Sequence, residues 1–93
     1  MIPERLKNAR LRANLTQEQL GVLAGIGEET AYSRLSQYES GTHTPSFKTV
    51  CAFAHALNVP ESYFYTVDDD FAEALLKLYA GDTVQWQRTP NGR

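Results

Sequence analysis

The segment from Leu15 to Gly41, LTQEQLGVLAGIGEETAYSRLSQYESG, constrains this chain more than any other. It reads as a short amphipathic helix, a turn marked by Gly25 and Gly27, and a second amphipathic helix that stops at Gly41. Two helices joined this way let the second stand clear of the domain body, in position to enter the major groove of double-stranded DNA. A sequence-specific DNA-binding regulator is therefore the leading expectation, and no nucleophile–base pair or phosphate-binding glycine loop suggests an enzyme.

The details of the segment support two helices. Thr16 and Gln19 have the spacing of a capping box, in which each side chain satisfies the other's backbone N–H. Leu20, Leu23 and Ala24 form the expected apolar face of the first helix, and Ile26 is the expected core plug of the turn. In the second helix, starting at Glu28 or Glu29, Ala31, Leu35 and Tyr38 recur at helical spacing and face inward. Tyr32, Ser33, Arg34, Ser36 and Gln37 then face outward, with Thr30 at the N-terminal end.

Similar patterns place four more helices. One runs from Pro3 to Ala13 with Leu6, Ala9 and Ala13 as its buried stripe, and Asn14 can take the left-handed conformation that follows a helix end. Ser46 caps another, with Phe47, Val50, Cys51, Ala54 and Leu57 as its stripe and Asn58 closing it. Pro60 opens a short fifth helix, where Tyr63 and Phe64 close the core. Asp69 or Asp70 caps a sixth, ended by Gly81. From Asp82 onward the polar composition, with Pro90 and Gly92, reads as a flexible tail, and Trp86 either covers the sixth helix or is exposed.

The chain has 93 residues, which suits one modest core, and no apolar run approaches the length of a membrane span. The single Cys51 cannot form an internal disulfide and fits a reducing cytoplasm. Cys51, His43 and His55 fall short of zinc-ligand spacing, so neither a metal nor a cofactor is expected. The net charge of −2 is awkward for a DNA binder. Its distribution is not: Arg5, Lys7, Arg10 and Arg12 crowd the first 17 residues against Glu4, while Asp68, Asp69, Asp70, Glu73 and Asp82 dominate the C-terminal part. The basic end can face phosphate, but with few charges, so two copies would bind better than one.

Taken together, several short motifs resemble the Xre-type, phage-repressor and Cro class of helix-turn-helix DNA-binding domains. They are Arg10, Leu15-Thr16-Gln17 followed by Leu20, Glu39-x-Gly41, Pro45-Ser46, and Ala54-x-x-Leu57-x-Val59. The resemblance spans about Arg5 to Tyr65 and implies an all-α, lambda repressor-like five-helix bundle over residues 1–66. Residues 67–81 are then an appended helix and 82–93 a tail. The stretch around Gly27, Glu28, Glu29 and Thr30 is about four residues longer than in typical members. It either lengthens the turn or adds a turn to the recognition helix.

The resemblance gives some roles, and the outward positions of the residues give the others. Gln17 contacts a phosphate beside the groove, a role that the free N–H groups of a helix start also suit. Arg10 and Glu39 pair structurally, the alternative being a direct Arg10–phosphate contact. Ser33, Arg34 and Gln37 are the candidate base readers, since arginine can hold guanine with two bonds and glutamine can do the same for adenine. Tyr32 can pack on a thymine methyl or reach a phosphate, and Thr30 joins them at the helix start. Thr42, His43, Thr44 and Lys48 are candidate backbone contacts, with a plain surface loop as the alternative. Glu28 and Glu29 argue against DNA unless they serve the positive end of the helix.

On the sixth helix, Phe71, Ala74, Leu75 and Leu78 make an apolar stripe that Leu76 and Tyr79 widen. It either packs on the fifth helix or forms a two-fold homodimer interface, for which Phe71, Leu75, Leu78 and Tyr79 are the candidates. The expected function is a repressor that binds a pseudo-palindromic operator as a dimer. The alternative is a protein-interaction module, such as an antitoxin that binds a partner protein.

Overall fold

The computed structural model describes residues 1–81. Five α-helices and one 3₁₀ turn make up the regular structure among the described residues: α1 Pro3–Arg12, α2 Gln17–Leu23, α3 Glu28–Ser40, α4 Phe47–Leu57, the 3₁₀ turn Glu61–Tyr65, and α5 Asp69–Tyr79. The all-α architecture expected from the sequence is therefore the one observed. The fifth expected helix is the 3₁₀ turn, with Pro60 just outside it as its N-cap. Trp86, Pro90 and Gly92, and with them the expected tail, lie outside the described residues.

The ends of the helices follow from local chemistry. The capping box is present: Gln19 N–H donates to Thr16 Oγ1, and Thr16 N–H donates to Gln19 Oε1. Ser46 Oγ accepts from the Thr49 N–H. Asn14 and Asn58 take positive φ at 58° and 56°, the left-handed conformation that asparagine tolerates better than most residues. The cap of α5 corrects the expectation of Asp69 or Asp70. It is Asp68, whose carboxylate accepts from the Phe71 N–H at 2.8 Å.

Leu6, Leu20, Leu35, Val50, Phe53, Tyr63 and Phe64 are fully enclosed and form the centre of one core. Each such side chain contributes about 1.5–3 kcal/mol by leaving water. Tyr38 and Phe53 meet edge to face at 5.9 Å between ring centres, joining α3 to α4. The Ile2 N–H donates to the Phe64 carbonyl and fastens the start of the chain to the 3₁₀ turn.

Several expected core positions are exposed instead. Ala13 caps the end of α1 and faces solvent, because the helix has ended one residue earlier. Leu23 is exposed, and Gly21 is buried in its place. On α4 the true stripe is Val50, Phe53, Ala54 and Leu57, so Phe47 lies outside and only partly buried Cys51 flanks it. The sequence allows both stripes at helical spacing. The tertiary packing selects the one that carries Phe53 to Tyr38.

Alpha-5 packs on the 3₁₀ turn through Ala72, which is fully buried, and Leu76. These two residues are one turn apart. Leu78 and Tyr79, from the stripe first expected to matter, remain exposed.

Candidate nucleic-acid interface

Helix α3 is 13 residues long and starts directly at Glu28. The lengthened stretch therefore belongs mainly to the helix, and the turn from Ala24 to Gly27 stays short. Gly25 at φ 93° makes that turn possible, since this conformation strains residues with a Cβ. Glu28 and Glu29 occupy the first turn of α3, where no side chain caps the helix. Two carboxylates there complement the positive end of the helix.

The two helices approach closely at one point. A Cβ on Gly21 would sit 2.7 Å from Ala31 Cβ and 3.1 Å from Leu35 Cδ2. Glycine is costly within a helix, by about 1 kcal/mol against alanine, and here its lack of a side chain lets α3 seat on α2. A glycine inside a helix is the signal by which the sequence marks such a close approach.

Seated this way, α3 buries Ala31, Leu35 and Tyr38. Thr30, Tyr32, Ser33, Arg34 and Gln37 are all exposed. Ser33 and Gln37 are four residues apart and Arg34 and Gln37 three, so these three share a face. Tyr32, 64% exposed, shares a strip with Ser36 and lies around the helix from Arg34. The Ser33 hydroxyl donates to the Thr30 carbonyl at 3.2 Å and the Thr30 hydroxyl to the Gly27 carbonyl at 3.4 Å.

The far end of α3 meets the loop before α4. Arg34, Gln37 and Tyr38 line a cleft with His43 and Thr44. The His43 N–H donates to the Gln37 carbonyl at 3.2 Å, and the Thr42 hydroxyl meets the Ser40 hydroxyl at 2.8 Å. Thr42, His43, Thr44 and Lys48 are all exposed, Lys48 in the first turn of α4. The structure thus brings Arg34 and Gln37 together with His43 and Thr44 around one concavity.

Arg10 and Glu39 form the expected pair. Arg10 Nε and Nη2 donate to the two carboxylate oxygens at 2.6 and 3.1 Å, and Nη1 donates to the Leu15 carbonyl at 2.9 Å. Both side chains are nearly enclosed, at 11% and 5% exposure. Gln17 joins them, its Nε2 donating to Glu39 Oε1 at 3.0 Å. A single carboxylate near the end of α3 thereby holds the last turn of α1 and the first turn of α2.

Two polar residues were missed. Arg5 is buried and donates to the carbonyls of Thr66 and Val67 at 2.9–3.0 Å, and it pairs with Asp69 at 2.8 Å. Its position four residues before Ala9, on the inward stripe of α1, was the available signal. Glu73 accepts from Arg12 at 2.6 Å. That bond holds the Arg12 guanidinium more firmly charged than usual.

Among the described residues, no group of three or more His, Cys, Asp and Glu can hold a metal ion, and no helix is long and apolar enough to cross a membrane.

The sequence pattern of the helix-turn-helix family matches residues 6–64. No curated protein sequence matches the chain. Among solved structures, the chain is similar to the crystal structure of transcriptional regulator BswR. The two share 39% identity, with a TM-score of 0.81, over 99% of this chain and 84% of that one.

Proposed function

This chain belongs to the helix-turn-helix family and is a DNA-binding regulator, and on that premise we propose that it is a repressor that reads a pseudo-palindromic operator as a homodimer. The observation that carries the reading is the exposed Ser33, Arg34 and Gln37 face on a helix whose opposite side is docked by Ala31, Leu35 and Tyr38. In this reading Arg34 and Gln37 contact base edges, the two side-chain types best suited to guanine and adenine. Thr30 and Tyr32 contact the groove wall. Gln17, Thr42, His43, Thr44 and Lys48 contact phosphates and fix register, and they carry no sequence information themselves.

Dimerisation supplies what one copy lacks. With few basic groups, a single domain neutralises few phosphates and holds DNA weakly. Leu78 and Tyr79 are 63% and 55% exposed, and with Phe71 and Leu75 they give α5 an apolar face suited to the same face of a second copy. Two such domains would set recognition helices about 34 Å apart, in successive major grooves. Occupied promoters would exclude polymerase. The cytoplasm, where DNA is at hand and the free Cys51 stays reduced, is the compartment this function requires.

Selection of bound sequences from a random DNA pool, at moderate salt, tests the proposal. An enriched inverted repeat is the expected result. No enrichment by protein shown to be folded overturns it. One feature favours a second reading, a module that binds a partner protein. Val22 and Leu23 are 47% and 60% exposed, in a groove completed by Leu15, Gln19, Glu18 and Glu28. That reading is the one left standing if DNA selection fails.

A further inference from the structure

The three arginines of α1 divide their work between two ends of the molecule. Arg10 holds α3 through Glu39. Arg5 and Arg12 hold α5. Arg5 grips the chain just before that helix, through the Thr66 and Val67 carbonyls, and reaches Asp69 in its first turn. Its guanidinium also lies 5.7 Å from the centre of the Tyr63 ring, the residue on which the 3₁₀ turn is anchored. Arg12 reaches one turn further along, to Glu73. Among the described residues, Ala72 and Leu76 are the α5 side chains packed with the core. The two arginine links lie one turn apart on α5 and tie it to α1 at two further points, which opposes rotation of the helix about Ala72 and Leu76.

We infer that Arg5 and Arg12 are positioning residues that fix the angle of α5 on the bundle and thereby select the spacing between the two half-sites of the operator. The inference rests on the proposed dimer through α5. The half-site sequence is read by α3, which these residues do not touch. The distance between two copies of α3 depends on how each bundle hangs from the α5 pair. A rigid α5 presents both reading helices at one separation along the duplex, and a loosened α5 presents a range.

The two reaches differ in kind. Asp69 is 89% exposed, so its bond to Arg5 is partly screened, whereas the buried Arg5 side chain also makes part-buried bonds to the Thr66 and Val67 carbonyls. Arg12 and Glu73 are both about half exposed, at 54% and 44%. Exposed pairs contribute little to global stability. Their removal therefore leaves the fold in place and acts on the orientation of α5.

The test uses the full chain and a set of duplexes carrying the selected half-site as an inverted repeat, with the central gap varied one base pair at a time. The wild type is expected to bind one gap best. The double variant Asp69→Asn with Glu73→Gln, which spares both arginines and the core, is expected to lose about threefold to tenfold of that discrimination. Its dimer mass and its preference for the half-site sequence are expected to remain. Exchanging the charges, Arg12→Glu with Glu73→Arg, restores the link and is expected to keep the gap preference, whereas Arg12→Glu alone does not. A dimeric variant with an unchanged gap profile overturns the inference while leaving the dimer reading intact. A wild type that sediments as a monomer on and off DNA, and selects single half-sites, overturns the dimer reading and the inference with it.

Discussion

Glu39 and Gln17 are joined by a 3.0 Å hydrogen bond that carries the Arg10 pair on the same carboxylate. Three helices meet there, so the start of α2 and the end of α3 cannot shift independently. Replacing Glu39 with Gln leaves a buried arginine without its counter-charge, a change that costs about 3–5 kcal/mol. Thermal unfolding of Glu39→Gln is expected to show a large drop in midpoint. A midpoint equal to wild type would mean that the pair is solvent-screened.

Gln37 and Lys48 separate base reading from phosphate contact. Gln37→Ala is expected to lose about 1–3 kcal/mol of discrimination at one operator base pair, with nonspecific affinity nearly unchanged. Lys48→Ala is expected to weaken binding on all sequences alike and to reduce the salt slope by about one. Titrations on specific and random duplexes at several salt concentrations distinguish the two. Equal losses from Gln37→Ala on both duplexes would remove it from the reading face.

The seat of α3 on α2 allows no side chain at position 21. Gly21→Ala gains about 1 kcal/mol of helix propensity, which offsets part of the crowding against Ala31. Gly21→Val adds two further methyl groups and gains little. It is expected to destabilise the domain by roughly 2–3 kcal/mol, within the range for overpacked cores. Denaturant unfolding measures this, and a neutral valine would show that the two helices can separate without cost.

Burial raises the Tyr63 phenol above its ordinary value, more than the nearby Arg12 and Arg5 lower it. Its phenol is neutral in the folded chain at a pH where the unfolded chain already ionises. Stability from this source is thus fully present below about pH 10, the ordinary tyrosine value, and falls as pH rises beyond it. Midpoints measured from pH 8 to 11 are expected to decline more gently for Tyr63→Phe than for wild type. Parallel declines would exclude Tyr63 as their source.

Leu78 is exposed on α5 and lies outside the core cluster of the described residues, so its replacement tests association apart from folding. Leu78→Glu is expected to shift the protein from dimer to monomer in sedimentation, with its helical signal preserved. It is expected to lose affinity for the inverted repeat and to keep that for a single half-site. An unchanged sedimenting mass would place the interface elsewhere.

Much of this protein is determined locally. The capping box at Thr16 and Gln19, the serine cap at Ser46 and the asparagines at 14 and 58 act within a few residues, so the helix ends are written in the sequence. The inward face of α3 is written there too, because Ala31, Leu35 and Tyr38 admit only one apolar stripe. The tertiary structure decided what depends on distant partners. Phe53 displaced Phe47 from the core because the ring of Tyr38 waits on α3. Gly21 gained its meaning only when Ala31 came to rest against it, ten residues away. Arg5 is buried because backbone carbonyls 61 and 62 residues later replace the water it gives up. Periodicity shows which side of a helix turns inward, but when two stripes are equally apolar, or a charge is buried, the partner across the core decides.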